Sequence, residues 1–96
     1  MELTHQVTRE VYTTPSEFAR GLRLAFPEAL ADGPLNFRVS DGGVIMEIAL
    51  VTGPERRIAL LRLPTLTVHI RFMSGDPAAC ERVLKHMDLA MRRGGG

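Results

Sequence analysis

Residues 44–72 read VIMEIALVTGPERRIALLRLPTLTVHIRF, and this stretch decides the fold. In residues 44–50 and again in residues 66–72, every even-numbered position carries a hydrophobic side chain. A hydrophobic period of two indicates β-strands, and the Thr-Gly-Pro-Glu sequence at 52–55 is a turn. Pro64 cannot donate a ladder hydrogen bond, so it predicts a bend, a bulge or a division into two strands at that point.

Two segments upstream alternate in the same way. Residues 2–12 carry β-branched side chains at period two and polar side chains on both faces, which predicts a strand at the edge of a sheet. Residues 35–40 alternate as well, and Asp41-Gly42-Gly43 supplies the positive φ angles of a hairpin turn. Sequential hairpins predict an antiparallel sheet.

The sequence Thr-Pro-Ser-Glu at 14–17 predicts the start of the first helix, because it combines a capping box with proline at the first helical position. A hydrophobic stripe follows in residues 18–26. Pro27 disfavours helical geometry in the residue before it, so the helix is predicted to end or kink there. Residues 28–30 are predicted to add one more turn.

The second helix begins at Asp76, a capping residue, with Pro77 at the first helical position. Its stripe recurs at helical spacing and consists of Cys80, Val83, Leu84, Met87 and Met91. The order of elements is therefore β-α-β-β-β(-β)-α. This order predicts an α+β fold, in which two amphipathic helices pack on one face of an antiparallel sheet of four or five strands.

The chain length of 96 residues predicts one domain, over residues 1–93, with residues 94–96 as a frayed tail. The composition, 45% hydrophobic and 24% charged, is typical of a globular domain. The element order resembles that of helix-grip and TATA-binding-protein-like domains. That resemblance lies in the order of elements alone, without a shared motif, so it implies a fold and no function.

Charge and cysteine content exclude several classes of function. The formal net charge is +1, which argues against a nucleic-acid partner. Cys80 is the single cysteine, so an intramolecular disulfide is impossible. No run of roughly eighteen apolar residues predicts a membrane span, and the N-terminus lacks the profile of a signal peptide. We expect a cytoplasmic protein without a membrane association.

The titratable residues show no catalytic or metal-binding motif. His5, His69 and His86 are far apart in the sequence, and no HExxH-type spacing brings them together. His69 is expected to face outward from a strand, and His86 to be a solvated helix residue. Cys80 falls on the apolar stripe and is expected to pack as a small hydrophobe. We predict no catalytic residue, no metal and no cofactor, and interpret the chain as non-enzymatic.

The main functional signal is hydrophobicity on both faces of the predicted sheet. Ile45, Ala49 and Val51 have the opposite parity to the core residues of the same strand, whereas a sheet covered on one side alternates cleanly. We therefore expect the second face to be partly covered. The leading hypothesis is a small interaction module that forms a homodimer through this second face or through an edge strand, with these three residues in the interface.

The alternative hypothesis is a domain that binds a small apolar ligand. In a helix-grip-like arrangement, a curved sheet and the C-terminal helix enclose a pocket. Four methionines are candidates to line that pocket: Met46, Met73, Met87 and Met91.

Overall fold

The computed structural model describes residues 5–95, and the side chains of residues 6–91 within that range. The helices in this range are α1 (Pro15–Ala25) and α2 (Pro77–Gly95). The strands are β1 (His5–Val11), β2 (Leu30–Ala31), β3 (Asn36–Asp41), β4 (Val44–Thr52), β5 (Arg56–Ile58), β6 (Leu61–Leu63) and β7 (Leu66–Ser74).

Five of these strands form one sheet in the order β1-β7-β4-β3-β2, and all neighbours are antiparallel. The last strand, β7, therefore lies between β1 and β4. The strand β1 is at an edge, as the polar side chains on both of its faces predict. The structure confirms the predicted antiparallel α+β fold.

The helix α1 begins where the capping sequence predicts. The Thr14 hydroxyl oxygen accepts a hydrogen bond from the Glu17 backbone N–H at 3.2 Å, and Pro15 follows in the first turn. The Glu17 carboxylate accepts a hydrogen bond from the Thr13 hydroxyl at 3.1 Å. The acidic residue of the capping box thus contacts the side chain that precedes the cap.

The helix α1 ends at Ala25, because Phe26 precedes a proline and adopts a non-helical conformation with φ −134° and ψ 88°. The extra helical turn predicted for residues 28–30 is wrong. Leu30 instead begins β2 and pairs with Arg38 of β3. After the proline breaks the helix, pairing with the free edge of β3 satisfies backbone groups that a single isolated turn would leave open.

The helix α2 begins after Asp76, whose Oδ1 accepts a hydrogen bond from the Ala79 backbone N–H at 2.8 Å. The helix extends to Gly95, two residues past the predicted end of the domain, and Gly96 lies outside the described residues. Arg9 of β1 and Asp88 of α2 form an ion pair, which connects the helix to the edge strand.

Both helices cover the same face of the sheet and form one core with its inward-facing side chains. The least exposed core side chains are Leu22, Val39, Val44, Met46, Ile48, Leu66, Val68 and Ile70. The helices approach closely at Gly21, where an added Cβ would lie 2.6 Å from Met91 Sδ. Aliphatic side chains therefore dominate the core, and a glycine allows the two helices to touch.

The run from residue 56 to residue 72 is divided, as Pro64 predicts. Among the described strands, β5 and β6 pair only with each other and form a separate hairpin, and β7 begins two residues after the proline. Residues 56–63, named here the hairpin arm, connect the two central strands of the sheet. The arm was part of a continuous run in the sequence, and only the structure shows it as a separate unit.

Candidate functional site: the open sheet face and the hairpin arm

The sheet face opposite the helices, named here the open face, has a charged centre. Arg38 lies opposite Glu47, and Glu47 lies opposite Arg71. Arg38 Nη2 donates to Glu47 Oε2 at 2.6 Å, and Arg71 Nη2 is 3.5 Å from Glu47 Oε1. The hydrogen bond from Arg38 is the largest cause that lowers the pKa of Glu47. Burial opposes this effect, and the charges of both arginines add to it.

The open face is concave around Ala49 and forms a trough of about 610 Å³. Ala49 lies opposite Asn36 on one neighbouring strand and opposite His69 on the other. Thr8 of the edge strand lies beyond His69, with its hydroxyl oxygen 3.4 Å from His69 Nδ1. A single methyl group thus forms the floor of the trough, and polar side chains stand on both sides of it.

The three residues predicted for a self-association interface share the open face. Ile45 and Ala49 are half-buried, and Val51 is 51% exposed. They do not form a continuous hydrophobic patch, because Glu47 and its two arginine partners lie between Ile45 and Ala49. The row of Glu47 is therefore polar, and along β4 it separates Ile45 on one side from Ala49 and Val51 on the other.

The four methionines predicted to line a pocket lie in different places. Met46 and Met87 are buried in the core, and Met91 packs against α1 at Gly21. Met73 is 48% exposed, at the irregular register between β4 and β7. None of the four lines the trough, which lies on the other face of the sheet from the core.

The hairpin arm is amphipathic. Ile58 lies directly opposite Leu61, and these two share a face with the Arg56–Leu63 pair. Arg57 and Arg62 lie opposite each other on the other face. Ile58 is 47% exposed and Leu61 is 61% exposed. One face of the arm is therefore mainly hydrophobic and uncovered, and the other is basic.

The turn at the tip of the arm consists of Ala59 and Leu60. Ala59 has a φ of +56°, in the left-handed region that favours glycine or asparagine. Leu60 is 99% exposed, which makes it the most exposed large hydrophobic residue in the described chain. The tip therefore lacks the usual turn residues and presents a leucine to solvent.

The base of the arm is fixed by hydrogen bonds to the start of β7. The Gly53 backbone N–H donates to the Thr65 carbonyl at 3.1 Å, and the Thr65 hydroxyl donates to the Pro54 carbonyl at 2.7 Å. An added Cβ at Gly53 would lie 2.6 Å from Thr65 Oγ1, so this close approach requires glycine.

A second contact holds the arm to Tyr12, the residue that directly follows the edge strand β1. Arg56 Nη1 donates to the Tyr12 hydroxyl at 3.2 Å, and its guanidinium carbon lies 5.9 Å from the Tyr12 ring centroid. The arm therefore leaves the sheet in a defined direction.

The two histidines whose side chains the structure describes, His69 and His86, do not converge. His69 lies on the open face, whereas His86 Nε2 is 2.9 Å from the Ala25 carbonyl oxygen at the end of α1. A carbonyl can only accept, so Nε2 carries the proton. The His86 ring also packs edge-on against Phe26, at 5.2 Å and 77°. His86 is exposed on the helix, as expected, but these two contacts also attach it to the end of α1, and the side chain of His5 lies outside the described residues.

Cys80 is buried, and burial is the main cause that raises the pKa of its thiol, with the charge of Asp76 adding to the effect. It packs as a small hydrophobic residue. Among the side chains that the structure describes, no three His, Cys, Asp or Glu residues form a group that could hold a metal ion. No helix within residues 5–95 is long and apolar enough to cross a membrane.

No protein-family model matches this chain, and a comparison with the curated proteins finds no match.

The Arg38–Glu47 pair and the hairpin arm were not predicted from the sequence, although the sequence contains a signal for each. Counting residues outward from the two-residue turn at Gly42-Gly43 places Arg38 opposite Glu47. The arm could have been found by the same counting around residues 59–60, but that turn lacks the glycine or asparagine that identifies a tight hairpin.

Proposed function

We propose that this protein is a non-enzymatic interaction module that self-associates as a homodimer through its hairpin arm. The observation that carries the proposal is the uncovered hydrophobic face of the arm, with Ile58, Leu61 and the tip residue Leu60. An isolated two-stranded hairpin is marginally stable in water. Arg57 and Arg62, directly opposite each other, weaken this one further. Docking on a partner would stabilise the arm.

A second copy of the chain is the partner that fits best. Two hydrophobic arm faces can pack against each other about a two-fold axis, since such an interface uses the same patch twice. Arg57 and Arg62 then remain in water on the outside, where their charges are solvated. The hydrogen bonds at the base of the arm fix its direction beforehand, which reduces the entropy lost on association.

The end of the open face that leads into the arm can extend this interface. Val51, one of the residues predicted for self-association, lies there and is 51% exposed. Tyr12 is 48% exposed and contacts Arg56 at the base of the arm. The centre of the open face is a poorer interface, because covering Glu47 and its arginine partners would remove charges from water at a cost of several kcal/mol.

The test is the molar mass of the protein by size exclusion coupled to light scattering. The double variant Ile58→Ser/Leu61→Ser should be monomeric at concentrations where the wild type is a dimer. Because both side chains are already substantially exposed, its thermal melt as a monomer should change little. Leu89→Ser is the matched control, since Leu89 is 52% exposed on α2, away from the arm, and this variant should remain dimeric.

A further variant separates the arm from the centre of the open face. Ala49→Glu would bury an unpaired carboxylate if the centre were the interface, and it would then dissociate the dimer. With the arm as the interface, Ala49→Glu should stay dimeric. A wild type that is monomeric at about millimolar concentration would exclude self-association altogether. A dimeric Ile58→Ser/Leu61→Ser variant would exclude the arm as its site.

A further inference from the structure

We infer that the trough on the open face binds the oxyanion group, a carboxylate or a phosphate, of a small molecule. The first reason is the charged row beside its Ala49 floor, where Arg38 and Arg71 share one carboxylate, that of Glu47. These contacts use Nη2 of each guanidinium. Each guanidinium has five N–H donors, and one carboxylate offers only about four acceptor sites, so directed donors remain on the two arginines for a ligand.

The second reason is the distribution of donors along the trough. Gln6 lies opposite Arg71, and Thr8 lies opposite His69 one row further along the same two strands. These four side chains offer an amide, a guanidinium, a hydroxyl and an imidazole, and none of them is acidic. The neighbouring carboxylate, Glu47, is already held by Arg38, and the half of the trough formed by β1 and β7 is therefore rich in donors.

The third reason is the space above Ala49. A longer side chain at this position would fill the floor of the trough between Asn36 and His69, whereas alanine leaves it open. A ligand whose oxyanion contacts Arg71 can therefore extend across Ala49 towards the amide of Asn36. The acidic residue Asp32 lines the trough beyond β2, on the far side from Arg71, which favours placing the anionic end at the β1–β7 half.

The site is also held in place before a ligand arrives. The trough-facing residues that contact the ligand lie on paired strands, and Arg71 is oriented by its contact with Glu47. Preorganised donors bind an anion without a large ordering cost. No trough residue belongs to the hairpin arm, so this inference is independent of self-association.

The experiment is an NMR titration of the ¹⁵N-labelled 96-residue chain with two probes, inorganic phosphate and succinate, at constant ionic strength. We expect saturable shifts at Gln6, Thr8, His69 and Arg71 with at least one probe, and the probe that saturates identifies the preferred oxyanion. Arg71→Gln should weaken binding about tenfold or more, because it removes a charge-assisted hydrogen bond. It should stay folded, since the Arg71 side chain is 50% exposed.

Arg57→Gln is the matched control, since it removes the same charge from the arm, outside the trough. It should bind the probes as the wild type does. Ala49→Leu should block binding by filling the trough while all charges remain. The inference is overturned if neither probe gives saturable shifts, or if Arg57→Gln weakens binding as much as Arg71→Gln, which would indicate general charge attraction.

Discussion

Removal of the His86 side chain should destabilise the protein, although this residue is exposed and belongs to no motif. His86→Ala deletes the hydrogen bond from Nε2 to the Ala25 carbonyl and the edge-on contact with the Phe26 ring. A protein hydrogen bond contributes about 0.5–1.5 kcal/mol, and an aromatic pair a similar amount. The expected loss is therefore about 1–3 kcal/mol, and each kcal/mol lowers the Tm of a domain of this size by about 4–8 °C.

The assay is urea denaturation followed by circular dichroism near neutral pH, with His69→Ala as the control. His69 lies on the open face, and its described contact is the 3.4 Å approach to Thr8, so its loss should change stability by less than about 0.5 kcal/mol. The variant His86→Phe keeps a ring beside Phe26 and lacks the donor. It should therefore recover part of the stability that His86→Ala loses.

Equal midpoints for His86→Ala and His69→Ala would refute this reasoning. That result would mean that water replaces the His86 contact without cost, and that the end of α1 needs no partner from α2. A His86→Phe variant as unstable as His86→Ala would assign the whole effect to the hydrogen bond.

Two further predictions concern the start of α1 and the charged row of the sheet. Thr14→Ala leaves the Glu17 backbone N–H without its acceptor and should cost about 0.5–2 kcal/mol in denaturation experiments, whereas Ser16→Ala should cost little. Glu47→Gln should destabilise the protein near neutral pH. Because the folded-state pKa of Glu47 is lowered, its contribution is present above the unfolded pKa and is lost as pH falls through the folded pKa. Thermal melts of Glu47→Gln and wild type should converge in acid, with Glu28→Gln as a control that shows no such convergence.

Most of the sheet could be predicted from the sequence, because each long strand has one face in the core and one face outside it. Fully buried and less buried side chains therefore alternate with a period of two in residues 44–50 and 66–72. The strand β2 could not be found in this way. It has only two residues, both exposed, and it exists because β3 offers a free edge beside it. Its formation depends on tertiary context rather than on local pattern.

The hairpin arm interrupts the run of hydrophobic residues between β4 and β7. Its hydrophobic residues at positions 58, 60, 61 and 63 fall on both odd and even positions, yet they belong to a separate two-stranded unit rather than to the sheet. Only Ile45, Ala49 and Val51 remain as hydrophobic residues on the second face of β4, and Glu47 lies among them. The odd or even position of a residue predicts its face of the sheet only within one continuous strand. The sequence alone does not show where one strand ends and the next begins.

The position of β7 has a consequence for the order in which the chain can fold. The hairpin of β3 and β4 is local and can form early, but among the described strands β1 pairs only with β7, and Thr8 contacts His69 across 61 residues. During synthesis, β1 therefore has no pairing partner among the described strands until residues Leu66–Ser74 have been made. Pairing between strands so far apart in the sequence is slow, and the unpaired strand β1 is prone to aggregation until β7 pairs with it. Closure of β1 onto β7 is expected to be the late, rate-limiting event in the folding of this protein.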